Sequence, residues 1–376
     1  MSKVIPLSEP NFSKEDRKLL LESFDSTFIS SSGKFLDKFE DKIAKMTRSE
    51  CCTLTTNGTS AIHLGLKALG VKEGDEVICP SLTFIASINP ILYLNASPIF
   101  MDSDEYFCMD LEKLKHFLTK HTYTNKMGTF NKITKKRISS LILVHVWGNA
   151  GKAIEIVREC KKRKIKVLED ATESLGTKIK KENLYTGTIG DVGCYSFNGN
   201  KIITAGGGGA VVSKNKNLIN KIKFWSTQSK SDPFNYIHNE LGFNYRLSNM
   251  QAAIGLSQLK RLRKIINQKK ELRKYTEKAL HSKGYKLYEL PPYSDNNCWL
   301  FVMKCKSSER MKLLNKLNSN NVMARPVWGL CHKQRYTKQF QSFEIEKSEK
   351  LLKESICLPS SSGLTKAQIN FYVNLL

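Results

Sequence analysis

Three things are missing from this chain of 376 residues. No stretch approaches the roughly 18 to 20 uninterrupted apolar residues that a membrane-spanning helix needs. The ten cysteines, scattered from Cys51 to Cys357, form no Cys-x-x-Cys pair and no Cys/His cluster. A zinc site or a disulfide framework is therefore not expected, and buried reduced thiols are. Acidic residues are in deficit, 35 against 60 Lys and Arg, which leaves a formal charge of +25. The segment Met1 to Pro10 shows no basic region followed by an apolar core, so no secretory signal is read there. A soluble, cytoplasmic protein with no membrane partner is the expectation. Its length suggests two domains, or one large domain with an appendage.

The positive charge has three readings: nucleic-acid binding, attraction of an anionic small substrate such as a nucleotide sugar, and surface lysine without a task. The lysines are spread along the whole chain, and runs such as Lys161-Lys162-Arg163-Lys164 lack interleaved aromatics for base stacking. That disfavours nucleic acid.

No internal repeat occurs. From about residue 50 to 215, β-rich runs alternate with helical patterns, the mark of an α/β fold with a mainly parallel, helix-covered sheet. Helices are expected over 60–69 and 153–162, with strands over 76–79, 98–101 and 166–168. The continuous apolar run 141–146 reads as a strand buried on both faces. The polar, basic segment 120–139 reads as a mobile surface insertion. Ser248 and Gln251 form a capping-box pattern that starts a long helix to about Leu280. This divides the chain into a large domain, 1–249, and a bridging helix with a smaller C-terminal α/β domain, 250–376.

One run stands out. Ser196-Phe197-Asn198-Gly199-Asn200-Lys201 is followed by Gly206 to Gly209. It places a lysine in a loop between an apolar segment and a glycine-rich turn, where its amine can act as a nucleophile on an aldehyde. Asn57-Gly58-Thr59-Ser60-Ala61 opens a helix and reads as an anion site, or equally as an ordinary cap. Asp170 sits where a buried strand ends, a place that lines ligand crevices in open α/β sheets. Alone it would read as a cap or an ion pair. Phe84 can stack on a ring or belong to the core. Asn244 in Gly242-Phe243-Asn244-Tyr245-Arg246 can donate to a phosphate or serve a turn. Arg325, with His332 soon after, can pair an anion or stay a surface arginine.

Taken in order, these segments resemble the DegT/StrS family of sugar aminotransferases, which are fold-type I pyridoxal phosphate enzymes. Ser30-Ser31-Ser32-Gly33, Thr83-Phe84-Ile85-Ala86 and Glu169-Asp170-Ala171-Thr172-Glu173 carry the likeness with the motifs above, from about Ile29 to the C-terminus. The resemblance implies that Lys201 is the catalytic lysine, in Schiff-base linkage with pyridoxal 5'-phosphate. It implies that Asp170 holds the pyridine nitrogen, Phe84 stacks on the ring and Glu173 lies at its hydroxyl edge. Gly58, Thr59, Ser60 and Ser196 are implied at the phosphate. Asn244 is implied to reach the phosphate of a neighbouring subunit in a homodimer with shared sites. Ser31, Gly33, Asn198, Arg325 and His332 are the implied substrate contacts. Where the family often has Gly-x-Pro after the central strand, this chain has Gly148-Asn149-Ala150.

Phe197 to Thr204 and Val144 to Ala150 are most similar to a narrower subgroup. Its members aminate C4 of UDP-linked 4-keto-6-deoxy-N-acetylhexosamines, with L-glutamate as implied donor, toward bacillosamine or legionaminic acid of surface polysaccharides. A nucleotide-sugar 3-aminotransferase, a non-catalytic pyridoxal phosphate binder and a nucleic-acid-binding regulator are the alternatives.

Overall fold

The computed structural model describes residues 4–376, so the first three residues of the expected large domain, and of the Met1 to Pro10 segment, lie outside the described residues. The central sheet runs in the order 51–55, 209–213, 192–196, 166–170, 137–144, 76–80, 97–101, 342–343. From 192–196 to 342–343 every neighbouring pair is parallel. Along this path, Gly209–Ser213 runs against its two neighbours. Central strands are apolar on both faces because helices cover both: Leu141, Ile142 and Leu143 are all fully buried.

The helices fall within two residues of their expected places, at Gly58–Ala68 and Ala153–Lys162. The run 141–146 belongs to a longer strand, Arg137–Val144, and Val146–Gly148 turns off it as a short 3-10 helix with Trp147 at φ 52°. The acidic pair is the end of a strand, Lys166–Asp170, rather than its sequel.

The segment expected as a mobile insertion is an ordered β-hairpin. Thr122–Asn125 pairs with Gly128–Asn131, which in turn pairs with Arg137–Val144. Gly128 makes the turn at φ 139°, a conformation that L side chains resist. Tyr123 stacks on Phe130 at 5.5 Å, and the Thr124 and Thr129 hydroxyls meet at 2.8 Å. Asn131, fully buried, donates to Glu76 at 2.9 Å. Cross-strand pairs of this kind stabilise the hairpin, while Lys126, Lys132 and Lys135 stay in water.

Ser248 caps the long helix Asn249–His281 through the expected reciprocal box with Gln251. The helix leads to a second, antiparallel sheet in the order 286–287, 301–304, 355–358, 325–326. That sheet has its own core of Leu280, Phe301, Leu317, Ile356 and Tyr372. The two parts of the chain interleave. Ile5 bridges to Val322, and Ser342–Phe343 returns to add the edge strand beside Ser97–Met101. Asp102, just past that strand, accepts the backbone N–H groups of Glu346, Lys347 and Ser348 at 2.8–3.0 Å. Against the cost of burial, the Lys113 ammonium, the Ser348 hydroxyl and the N–H groups of Ser348 and Lys347 hold its carboxyl down at about 2.

Candidate active site

The strand Val192–Ser196 ends in a closed loop that carries Lys201. Phe197 N–H donates to Gly208, Ala205 N–H to Phe197 and Lys201 N–H to Asn198, at 2.8–3.0 Å. Gly206 and Gly208, at φ 77° and 117°, let the chain turn back into the sheet. The loop aims the lysine inward: its side chain is 12% exposed, with Nζ 3.7 Å from Glu173 Oε1 and 4.2 Å from the ring centroid of Trp299.

Asp170 is buried at the carboxyl end of its strand. Its two oxygens accept from Ser87 Oγ at 2.6 Å and Thr172 N at 3.1 Å, which fixes the carboxylate plane. Glu173, also buried, accepts from Trp147 N at 2.8 Å. Burial pushes its carboxyl up to about 7, against the downward pull of the Lys201 ammonium.

The helix Gly58–Ala68 supplies the third part. Asn57 Oδ1 accepts from Ser60 N at 2.8 Å, while Gly58 and Thr59 line the cavity with first-turn N–H groups that no intrahelical carbonyl can reach. Ser196 closes this corner. A Cβ on Gly58 would lie 3.0 Å from Ser196 Cβ and 3.1 Å from Thr172 Cγ2, so glycine keeps the helix end close to the loop.

The result is one cavity of about 230 Å³ that gathers Gly58, Thr59, Phe84, Asp170, Glu173, Ser196, Asn198 and Lys201. Phe84 is half exposed, its ring 6.3 Å from Trp328. The remaining expected residues do not line it. Ser60 turns its hydroxyl to Thr56 at 3.1 Å. Ser31 is exposed. Gly33 packs against the Asn249 amide, where a Cβ would come within 2.3 Å. Asn244 is exposed and bridges to Thr227. Arg325 is exposed and donates to Asn318 Oδ1 at 2.7 Å. His332 meets Ser81 at 2.6 Å, and burial lowers its pKa. The sequence reading missed Ser87 and Trp299. Ser87 follows the quoted Thr83 to Ala86 run directly. Trp299 carried no local signal.

The DegT/DnrJ/EryC1/StrS aminotransferase family matches residues 10–376. This chain belongs to that family. It is 36% identical to the putative pyridoxal phosphate-dependent aminotransferase EpsN of Bacillus subtilis, over 100% of this chain and 96% of that protein. It is 35% identical to the GDP-perosamine synthase of Escherichia coli O157:H7, over 98% and 96%. Among solved structures, the aminotransferase TlmJ of Streptoalloteichus hindustanus superposes with a TM-score of 0.89 at 20% identity, over 99% of this chain and 98% of that one. That likeness shows the fold, the fold-type I architecture of pyridoxal phosphate enzymes. Family members are sugar aminotransferases that depend on pyridoxal phosphate. The residues present fit such a group: an amine, a locked carboxylate and an anion-binding helix end share one cavity.

Proposed function

We propose that this protein transfers an amino group from L-glutamate to C4 of a nucleotide-linked 4-keto-6-deoxyhexose destined for a surface glycan. The observation that carries the reading is the Lys201 amine sharing one cavity with the buried Asp170 carboxylate and the Gly58–Thr59 helix end. Pyridoxal phosphate, when bound, supplies the aldehyde that takes up the amine and the ring that accepts an electron pair. Among the described residues lining the cavity, Lys201 alone carries an amine, and it moves the proton at the reacting carbon as base and then acid. Asp170, held by Ser87 and Thr172, presents a carboxylate that keeps a pyridine nitrogen protonated. The N–H groups of Gly58 and Thr59 and the Ser196 hydroxyl bind the phosphate. Glu173 exchanges a proton near neutrality beside the lysine. Asn244, exposed and outside its own chain's cavity, enters that of a second copy in a homodimer.

Two nucleotides have support. The motifs around Phe197 to Thr204 favour a UDP-linked N-acetylhexosamine. The likeness to GDP-perosamine synthase along 98% of the chain favours a GDP-linked 4-keto-6-deoxyhexose. The second support spans nearly all of the chain, so the GDP sugar is the first to offer. The test is the visible absorbance of the protein with pyridoxal phosphate before and after L-glutamate, followed by product NMR with each keto sugar. The expected outcome is a band that collapses with L-glutamate, and a 4-amino product from one sugar. A band indifferent to L-glutamate refutes the donor, and amination at C3 refutes the position. No band with cofactor in excess refutes the reading as a whole.

A further inference from the structure

Trp299 touches the Lys201 loop at two points. Its ring centroid lies 4.2 Å from Lys201 Nζ, and its Nε1–H donates to the Asn200 carbonyl at 2.7 Å. The residue is 3% exposed and is itself held in place. Its backbone N–H donates to Asn297 Oδ1 at 3.1 Å, and its carbonyl accepts from Ser360 Oγ at 3.3 Å. Asn297 also donates to the carbonyls of Glu173 and Leu175, at 2.9 and 3.1 Å. One asparagine from the C-terminal part of the chain thus fixes both the tryptophan and the segment that bears Glu173.

The lysine amine therefore stands between a carboxylate and an aromatic face. An aromatic face attracts an ammonium more strongly when both are withdrawn from water. The other charged groups nearby are Asp170, which shares the cavity, and Glu9 and Lys269, which line a small polar recess that Lys201 also borders. The Lys269 ammonium donates to the Ser360 carbonyl.

We propose that Trp299 is the positioning residue for Lys201: the seat that holds its amine in the cavity whenever it is not bonded to the cofactor. This rests on the reading of Lys201 as the cofactor's lysine.

The test labels the cofactor-free protein with limiting acetic anhydride and reads acetylation at Lys201 by peptide mass spectrometry. Lys269 is the internal control, because it is buried and bonded to the same Ser360 that touches Trp299. Trp299→Leu removes the aromatic face and is expected to raise labelling of Lys201 by about three- to thirtyfold, with Lys269 unchanged. Trp299→Phe keeps a face and is expected to stay within about twofold of wild type. Wild-type labelling of Lys201 in Trp299→Leu overturns the proposal. So does an equal rise at Lys201 and Lys269, which is general loosening. If Trp299→Leu does not fold, Trp299→Met takes its place with the same readouts. Persistence of the visible pyridoxal phosphate band in Lys201→Ala would instead sink the reading of the site, whatever the Trp299 variants show.

Discussion

Replacing Glu173 with glutamine measures what it costs to keep a carboxylate in the cavity wall. Glu173 is 4% exposed, and burial lifts it from 4.5 to about 7 even with the Lys201 ammonium and the Trp147 N–H pulling it down. A raised carboxyl pKa means that the folded protein binds this proton more tightly than the unfolded chain does. The stability it contributes is complete below about pH 4.5 and is lost as the pH rises through about 7. The shift amounts to roughly 3 kcal/mol, of which about 2 kcal/mol disappears between about pH 5.5 and 8.5. Glutamine does not ionise, and its side-chain oxygen still accepts the Trp147 N–H. Urea unfolding of the cofactor-free wild type and Glu173→Gln at both pH values should therefore show the variant gaining about 2 kcal/mol on wild type across the interval. Groups present in both proteins, such as Asp104, which burial lifts to about 7, cancel in the difference. A difference that stays constant to within about 0.5 kcal/mol would refute the buried-carboxylate account.

Gly58→Ala forces a methyl group against Ser196 and Thr172, at 3.0 and 3.1 Å. It should cost about 1–3 kcal/mol in stability and weaken pyridoxal phosphate retention, read by thermal melting and equilibrium dialysis. Ser87→Ala removes the 2.6 Å bond that orients Asp170. Turnover should fall about tenfold, the equivalent of about 1.4 kcal/mol, and unchanged turnover would show that Asp170 needs no such anchor. Arg246→Met strips the buried Glu40 of its 2.5 Å partner and leaves it the Lys223 ammonium and the Leu54 N–H. Chemical unfolding should show a loss of about 3–5 kcal/mol, and because Arg246 does not line the cavity, the visible band of protein that remains folded should be preserved.

Local signals carried most of the fold. The Ser248 box fixed the start of the long helix, because a cap is read from four residues and needs no partner elsewhere. The strand before Asp170 followed from an apolar run that stops at polar residues, though it extends through the acidic pair. The hairpin at 122–131 reads as an insertion because the stretch around it, 120–139, is basic and rich in Thr and Asn. The alternation that builds it rests on Thr, Tyr and Phe, whose worth depends on facing a partner strand. Within the site, Lys201, Asp170, Glu173 and the Gly58 turn are each ambiguous alone and become legible through the order of the motifs that carry the family resemblance. Trp299 does not. It meets Asn200 across 99 residues of chain, and a contact of that span leaves no periodicity behind. Asn297, which ties the tryptophan to the carbonyl of Glu173, is hidden for the same reason.

The edge strand Ser342–Phe343 sets an order on the birth of the molecule. Its neighbour Ser97–Met101 emerges about 240 residues earlier, and its outer side has no partner until Ser342–Phe343 follows it out of the ribosome. Until then a hydrophobic parallel edge stands open, a template for pairing with another nascent chain. The carboxylate of Asp102 waits just as long for the three backbone N–H groups of residues 346–348. A chain cut short before Ser342 would keep every residue that lines the cavity and still carry that open edge, so its failure would appear as aggregation rather than as an inactive enzyme.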